Sequence, residues 1–175
     1  MAFEEILLTY FRGERVEALF YILPCGVLLL GMAATALSSD RGGFGWGLAV
    51  PLALFGVIAI GVGLTVGLRT PGQVAALERS YREDPPAMIA EELPRMEAVN
   101  ANWPRLMIAW TAFVVVGLGF RFGLRADWAH GLGPALILIG AVGFLIDGFA
   151  ERRARPYTAA LEQLASEHRI PSSPE

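Results

Sequence analysis

Four long apolar blocks constrain this chain more than any other feature of its sequence, and they lie at residues 16–37, 44–68, 106–124 and 129–150. A helix needs about 20 mostly apolar residues to cross a bilayer. Each block approaches that length, although the third does so only if the Arg121 side chain extends outward beyond the apolar core. The blocks therefore predict an all-α integral membrane protein with four transmembrane helices.

The composition of the chain agrees with this prediction. Hydrophobic residues make up 54% of the sequence and charged residues only 18%, against about 45–50% and about 25% in soluble domains. The net charge is −3, so the chain lacks the basic excess of nucleic-acid-binding domains. We therefore expect membrane lipids, and no nucleic acid, among its partners.

The distribution of arginine predicts the orientation of the helices. All 14 basic residues are arginines, a bias that is typical of GC-rich bacterial genomes. With both termini in the cytoplasm, only Arg41, Arg121 and Arg125 lie on the outer side. Basic residues accumulate on the cytoplasmic side of membranes. We therefore expect a multi-pass protein of the bacterial inner membrane with both termini in the cytoplasm.

The connections between the blocks predict how the helices pair. Only a few residues separate the first block from the second and the third from the fourth, so we expect two antiparallel hairpins. The longer segment 69–105 then joins the hairpins on the cytoplasmic side, and residues 151–175 form a cytoplasmic tail. The whole chain is interpreted as one membrane domain, 1–175.

The cytoplasmic segments carry signals for further helices. Thr70 before a proline, and Asp84 before two prolines, are patterns of a helix N-terminus. Apolar residues follow at helical spacing, so we expect amphipathic helices at or under the inner membrane face. Pro94 is expected to kink or restart this helix, and Pro104 to do so again at the membrane surface.

The two halves of the chain resemble each other at a shift of 84 residues. Gly47 then aligns with Gly131, Arg69 with Arg153, and the sequence AALE at 75–78 with the same letters at 159–162. The pattern suggests an internal repeat of 1–84 and 85–168, whose symmetry axis would run along the membrane normal. The alternative is convergence of two segments of membrane composition.

Charged residues inside a membrane span are candidates for function. Asp147 near the inner end of the fourth block and Arg121 near the outer end of the third are the two candidates here. Asp147 is expected to pair with Arg69, Arg105 or Arg152, and Arg121 with Asp40 or Asp127. Either charge could instead be a purely structural pair.

Two further groups of residues are expected to hold the bundle in place. Small residues allow close approach of helices in lipid, and the glycines expected to pack helices are Gly56, Gly63, Gly67, Gly140 and Gly143. Aromatic and basic residues anchor span ends at the interface, and the expected anchors are Trp103, Arg105, Arg69, Arg152 and Arg153.

Catalytic patterns are missing from the sequence. It has no lysine for Schiff-base chemistry and no H-E-x-x-H motif. The carboxylates Glu91, Glu92 and Glu97 lack histidine partners, because the two histidines lie at an outer span end and in the tail. The single Cys25 lies within an apolar block and is interpreted as a packing residue. We therefore expect no enzymatic activity, no cofactor and no metal site.

The remaining features favour function by binding. The expectation is a small inner-membrane protein that binds another protein in or beside the bilayer, for example an immunity protein against a membrane-targeting toxin. Two alternatives are an oligomeric channel or transporter, and a membrane scaffold subunit that recruits a cytoplasmic partner. A homo-oligomer is compatible with each of them.

Overall fold

The computed structural model describes residues 3–168, and these residues form an all-helical bundle. Its elements are α1 (Phe3–Glu17), a π-helical turn (Ala18–Ile22), α2 (Leu23–Ser39), α3 (Gly43–Glu83), α4 (Pro85–Gly123) and α5 (Asp127–Glu167). The first three run on without a break, so the bundle consists of four long helices.

All four helices are long and apolar enough to cross a membrane. They contain 37, 41, 39 and 41 residues, and at a rise of about 1.5 Å per residue each is about 55–60 Å long. That is about twice the thickness of a bilayer's hydrocarbon core. Each apolar block therefore occupies about half of its helix, and the helix continues beyond it.

The prediction of separate amphipathic helices after the second block is wrong, because α3 and α4 each continue beyond their apolar blocks as one helix. Thr70 lies inside α3, where its hydroxyl donates to the Val66 carbonyl at 2.6 Å. Pro94 and Pro104 both lie inside α4, which does not restart. Asp84 is confirmed as an N-cap, because its side chain accepts a hydrogen bond from the Ala87 amide at 3.1 Å. One residue thus separates α3 from α4.

Pro24 shows how the first long helix tolerates a proline. The residue lies at the start of α2, directly after the π-helical turn. At that turn the Leu23 amide donates to the Ala18 carbonyl, five residues back. Proline removes a regular helical hydrogen bond, and wider turns of this kind accommodate such disruptions.

Consecutive long helices contact each other through paired glycines. A Cβ atom built on Gly26 would lie 2.7 Å from the Gly56 carbonyl oxygen, and one on Gly56 would lie 2.9 Å from the Gly26 oxygen. Gly117 and Gly133 meet in the same reciprocal way, at 2.7 Å in both directions. The main chains of α2 and α3, and of α4 and α5, therefore touch where any side chain would keep them apart.

α3 and α5 cross at a third glycine pair. A Cβ atom on Gly47 would collide with the Trp128 carbonyl and come close to the Leu132 amide. One on Gly131 would collide with the Phe44 carbonyl and come close to the Leu48 amide. Every one of these residues has its partner 84 positions away, and α3 and α5 both contain 41 residues.

The exposed apolar surface divides the bundle into two halves. Of the large hydrophobic side chains exposed in the described residues, all except Leu8 lie between residues 16 and 68 or between 108 and 149. We call these two ranges the apolar half. The rest of the described chain, 3–15, 69–107 and 150–168, is the terminal half.

Each half has a buried core of its own. The core of the apolar half is small and consists of Leu29, Ala33, Ala49, Leu52, Ala135 and Ile139. The terminal half has a larger core with aromatic side chains, formed by Phe3, Leu7, Tyr10, Phe11, Met88, Ile89, Leu93, Met96, Ala154, Tyr157, Leu161 and Ala165. α1, α4 and α5 all contribute to the second core, which explains why α4 continues through Pro94.

Candidate functional site

Asp147 is bound by an indole rather than by an arginine. Its Oδ2 atom accepts a hydrogen bond from Trp110 Nε1 at 2.6 Å, so the expected pairing with Arg69, Arg105 or Arg152 is wrong. Glycine makes this contact possible, because a Cβ atom on Gly143 would overlap the Trp110 ring.

Aromatic rings pack beside Trp110. Phe55 lies 6.4 Å from Trp110 and 5.4 Å from Phe113, measured between ring centroids, and both contacts are edge-on. The Asp147 carboxyl group is partly buried. Withdrawing such a group from water costs free energy unless a donor satisfies it, and the indole N–H is that donor. Trp110 and Asp147 therefore link α4 to α5.

Arg121 also lacks the partner predicted for it. Within residues 3–168 no carboxylate lies within 4.0 Å of its guanidinium, whose central carbon is 5.4 Å from the ring centroid of Phe122. Asp40 has a different role, since its carboxylate accepts hydrogen bonds from the amides of Gly42 and Gly45 at the start of α3. Arg121 thus extends from the surface at the loop end of the bundle.

The five glycines expected to pack helices all face close neighbours within this chain. Gly63 lies against the Ala18 carbonyl and Leu23, and Gly67 against Leu19. Gly56 contacts the first long helix, while Gly140 and Gly143 contact α4. These surfaces are consequently occupied by the chain itself.

A buried carboxylate organises the core of the terminal half. The Glu92 side chain is only 6% exposed, and both of its oxygens accept hydrogen bonds from Arg95. One of them also accepts from the Tyr157 hydroxyl at 2.9 Å. Tyr10 stacks on Tyr157 at 4.6 Å between ring centroids. We call these four residues the tyrosine–glutamate cluster.

The surroundings of this cluster raise the pKa of its tyrosine Tyr157 and of its arginine Arg95. Burial raises the pKa of Tyr157, and the neighbouring Glu92 charge raises it further. Hydrogen bonding to Glu92 raises the pKa of Arg95, so the arginine stays charged. The bidentate contact is the strong form of an arginine–carboxylate pair. The cluster is therefore suited to joining α4 to α5.

α1 connects the two arginines that the 84-residue shift aligns. Arg69 of α3 lies 3.9 Å from Glu14, and Arg153 of α5 donates to Glu17 at 2.5 Å. The Glu17–Arg153 pair is the more buried, with side chains 11% and 19% exposed. Both glutamates lie on the same helix, so α1 is bound to α3 and α5 at once.

The other expected anchors are Trp103, which packs against the core of the terminal half, and the arginines Arg105 and Arg152. Trp103 donates to the Asn100 side chain at 3.2 Å, and Arg105 donates to the Asn102 side chain at 3.2 Å. Arg152 is exposed, and no carboxylate of residues 3–168 lies within 4.0 Å of it.

A side groove runs between the first long helix and α5. It has a volume of about 510 Å³, and its walls are residues between Gly13 and Cys25 on one side and between Val142 and Arg153 on the other. Its lining is apolar except at one end, where the Glu17–Arg153 pair lies. Gly13 leaves room for the Arg153 side chain to cross α1.

Residues 3–168 contain no cluster of three or more histidine, cysteine, aspartate or glutamate side chains placed to hold an ion.

The sequence analysis did not predict three of these side-chain contacts. Nothing marks Trp110 as the partner of Asp147, or Tyr157 as the partner of Glu92, because 37 and 65 residues separate them. The three-residue spacing of Glu92 and Arg95 was the available signal for that ion pair.

Comparison with family models, with curated proteins and with solved structures finds no match to this chain.

Proposed function

We propose that this chain is an integral protein of the bacterial inner membrane, with its helices arranged as two hairpins and both termini in the cytoplasm. The observation that carries the location is the band of exposed apolar side chains confined to the apolar half. Exposed surface of this kind is costly in water and favourable in lipid. Residues 69–107 and 150–168 of the terminal half contain eight arginines. Because basic residues accumulate on the cytoplasmic side of membranes, the terminal half would then face the cytoplasm.

We further propose that the protein acts by binding another protein beside the bilayer, without catalysis. The support is that the terminal half has a packed core and a largely polar surface, and that uninterrupted helices carry it. Such a body presents a rigid surface to a cytoplasmic partner. The proposal corresponds to a membrane scaffold subunit that recruits a cytoplasmic partner.

Binding within the bilayer, as by an immunity protein, has less support. The five glycines expected to pack helices each have their close neighbour inside the chain, so these five do not offer close approach to a foreign helix. An oligomeric channel or transporter would need its path between copies, because within one chain Phe55, Trp110 and Phe113 occupy the region between α3 and α4. Neither alternative gains a specific contact from the structure.

Cross-linking from defined positions tests the proposal. In a Cys25→Ser background, cysteine is placed at Glu91 or Ala98, which are exposed in the terminal half, and at Val57 or Val116, which are exposed in the apolar half. Cells producing each variant are treated with a thiol-directed cross-linker and the adducts are identified. We expect one recurrent protein adduct from Glu91→Cys or Ala98→Cys. Adducts from the apolar positions alone would replace this proposal with binding inside the bilayer.

We also propose that the two hairpins are copies of one unit. The support is the equal length of α3 and α5 and the reciprocal contacts of Gly47 and Gly131 at the 84-residue shift. A parallel repeat places its symmetry axis along the membrane normal. Expression of residues 1–84 alone tests this proposal, because a self-compatible unit should form a dimer, and a strictly monomeric fragment would contradict it.

A further inference from the structure

The side groove has the dimensions of a hydrocarbon chain. Gly13 and Cys25 are twelve residues apart, so the groove is about 18 Å long at about 1.5 Å per residue. A volume of about 510 Å³ over that length leaves a mean cross-section of about 30 Å². An α-helix with its side chains is about 10–12 Å across and needs about three times that area. A single acyl chain, with carbon contacts at about 3.5–4.0 Å, fits.

The walls of the groove are open to the surrounding medium along their length. Tyr21, Leu145 and Phe149 are each more than 60% exposed although they line it. In water this surface would be unfavourable. In a membrane it opens sideways to the lipid, so an acyl chain can enter without crossing a polar barrier.

One end of the groove is basic. Arg153 lies there, and its Nε atom is buried without a hydrogen-bond partner in the described chain. Arg152 follows Glu151 on the same helix, is exposed, and has no carboxylate of residues 3–168 within 4.0 Å. Arg12 and Arg15 lie on another face of α1, beside Thr70 and Val74 of α3. Glu17 pairs with Arg153 and leaves the charge of Arg152 without a counter-charge.

The geometry points to a binding site for an anionic phospholipid, with one acyl chain in the side groove and the phosphate beside Arg153. Basic pockets between transmembrane helices on the cytoplasmic side bind lipid head groups in this way, and a guanidinium offers a fork of donors to phosphate oxygens. The site rests on the proposed membrane location but not on the proposed protein partner.

The single cysteine of the chain reports on this site, because Cys25 lines the groove. The full-length protein is reconstituted into vesicles of phosphatidylcholine, or of phosphatidylcholine with about one-fifth phosphatidylglycerol. The rate of Cys25 modification by the uncharged reagent N-ethylmaleimide is then measured. If anionic lipid fills three-quarters of the grooves, the rate falls about fourfold, because only empty grooves react.

Four variants separate the site from general effects of a charged membrane. Arg153→Gln should abolish the difference between the two vesicles, whereas Arg121→Gln, at the opposite end of the bundle, should preserve it. A Cys25→Ser, Val57→Cys reporter lies outside the groove, at an exposed position of α3, and should react equally in both. Glu17→Gln frees the guanidinium and should strengthen the protection, which keeps the site testable if Arg153→Gln does not fold.

Several results would overturn the site. Equal rates in the two vesicles, protection that survives in Arg153→Gln, or equal protection of the Val57→Cys reporter would each do so. Protection that follows protein density instead of anionic lipid would indicate a second copy in the groove, and protection by inorganic phosphate in neutral vesicles would indicate a site for free anions. Failure of the protein to float with the vesicles would reject the membrane location itself.

Discussion

The two halves of the bundle are held together by different residues. The terminal half buries large side chains, among them Phe11, Tyr157 and Met96, and places its charges in specific pairs. The apolar half buries few large side chains and brings main chains together at glycines. In the most apolar 18-residue stretch of each long helix, only 6–22% of the residues are buried inside the chain.

The difference follows from the solvent proposed for each half. In water, burying apolar area stabilises by about 25 cal/mol per Å², so large side chains move inward. In lipid that driving force is absent, and packing of small residues with a few hydrogen bonds replaces it. Substitutions that remove a large or charged group should therefore be most damaging in the terminal half, and substitutions that add volume in the apolar half.

The largest effect is expected from Glu92→Ala in the tyrosine–glutamate cluster. The change leaves the Tyr157 hydroxyl and the Arg95 guanidinium without their shared acceptor. Breaking a fully buried ion pair on one side costs about 3–5 kcal/mol, but the Arg95 side chain is 39% exposed and stays partly solvated. We therefore expect a loss near the lower end, about 3 kcal/mol, in the free energy of unfolding, measured by denaturant titration of the protein in detergent micelles.

Two variants sharpen that measurement. Tyr157→Phe keeps the ring stack on Tyr10 and removes one hydrogen bond, so it should cost only about 1–3 kcal/mol. Glu151→Ala breaks the exposed pair with Arg155 and should cost less than about 1 kcal/mol. If all three variants lost equal stability, the cluster would not be the support of the terminal half.

The next largest effect is expected where volume is added to the apolar half. Gly47→Ala and Gly131→Ala place a methyl group against main-chain atoms of the facing helix, and overpacking of this kind costs about 1–3 kcal/mol. The reciprocal contacts predict similar losses for the two variants. Thermal unfolding of each variant, followed by circular dichroism in one detergent, measures them.

Gly61→Ala and Gly148→Ala are the matched controls for this pair. An added Cβ atom at either position meets nothing within 4 Å, and alanine is the better helix former by about 1 kcal/mol. Both controls should keep or raise the unfolding temperature. Clearly unequal losses for Gly47→Ala and Gly131→Ala would contradict the proposed equivalence of the two hairpins.

A smaller effect is expected at the hydrogen bond between Trp110 and Asp147. Trp110→Phe keeps an aromatic ring against Gly143 and removes the donor, which should cost about 1 kcal/mol in a membrane protein. Asp147→Asn keeps an acceptor and should cost less. Unfolding in micelles again measures both. A loss from Asp147→Asn larger than that from Trp110→Phe would show that the carboxylate has a role beyond this contact.

The features that could be predicted from the sequence are those encoded locally. Apolar block length predicted the four long helices, and the Asp84–Pro85 pattern predicted the start of α4. Thr70 has a similar pattern but does not begin a helix, because α3 continues through it from the apolar half into the terminal half. Contacts such as Trp110 with Asp147 depend on which helix faces which, and no local spacing encodes that.

The smallest effect is expected at Glu14, on the border between the two halves. Burial raises the pKa of this carboxyl group above its usual value, and Arg69 only partly opposes the shift. The folded protein therefore keeps the proton to a higher pH than the unfolded chain does. By linkage, this group makes stability fall as the pH rises from the usual glutamate range through the raised pKa. Glu14→Gln should remove that fall, so the unfolding temperature of the variant relative to wild type should increase across this interval. Arg69→Gln removes the opposing charge and should make the fall steeper, whereas a constant difference between Glu14→Gln and wild type at every pH would rule out titration of this carboxyl group.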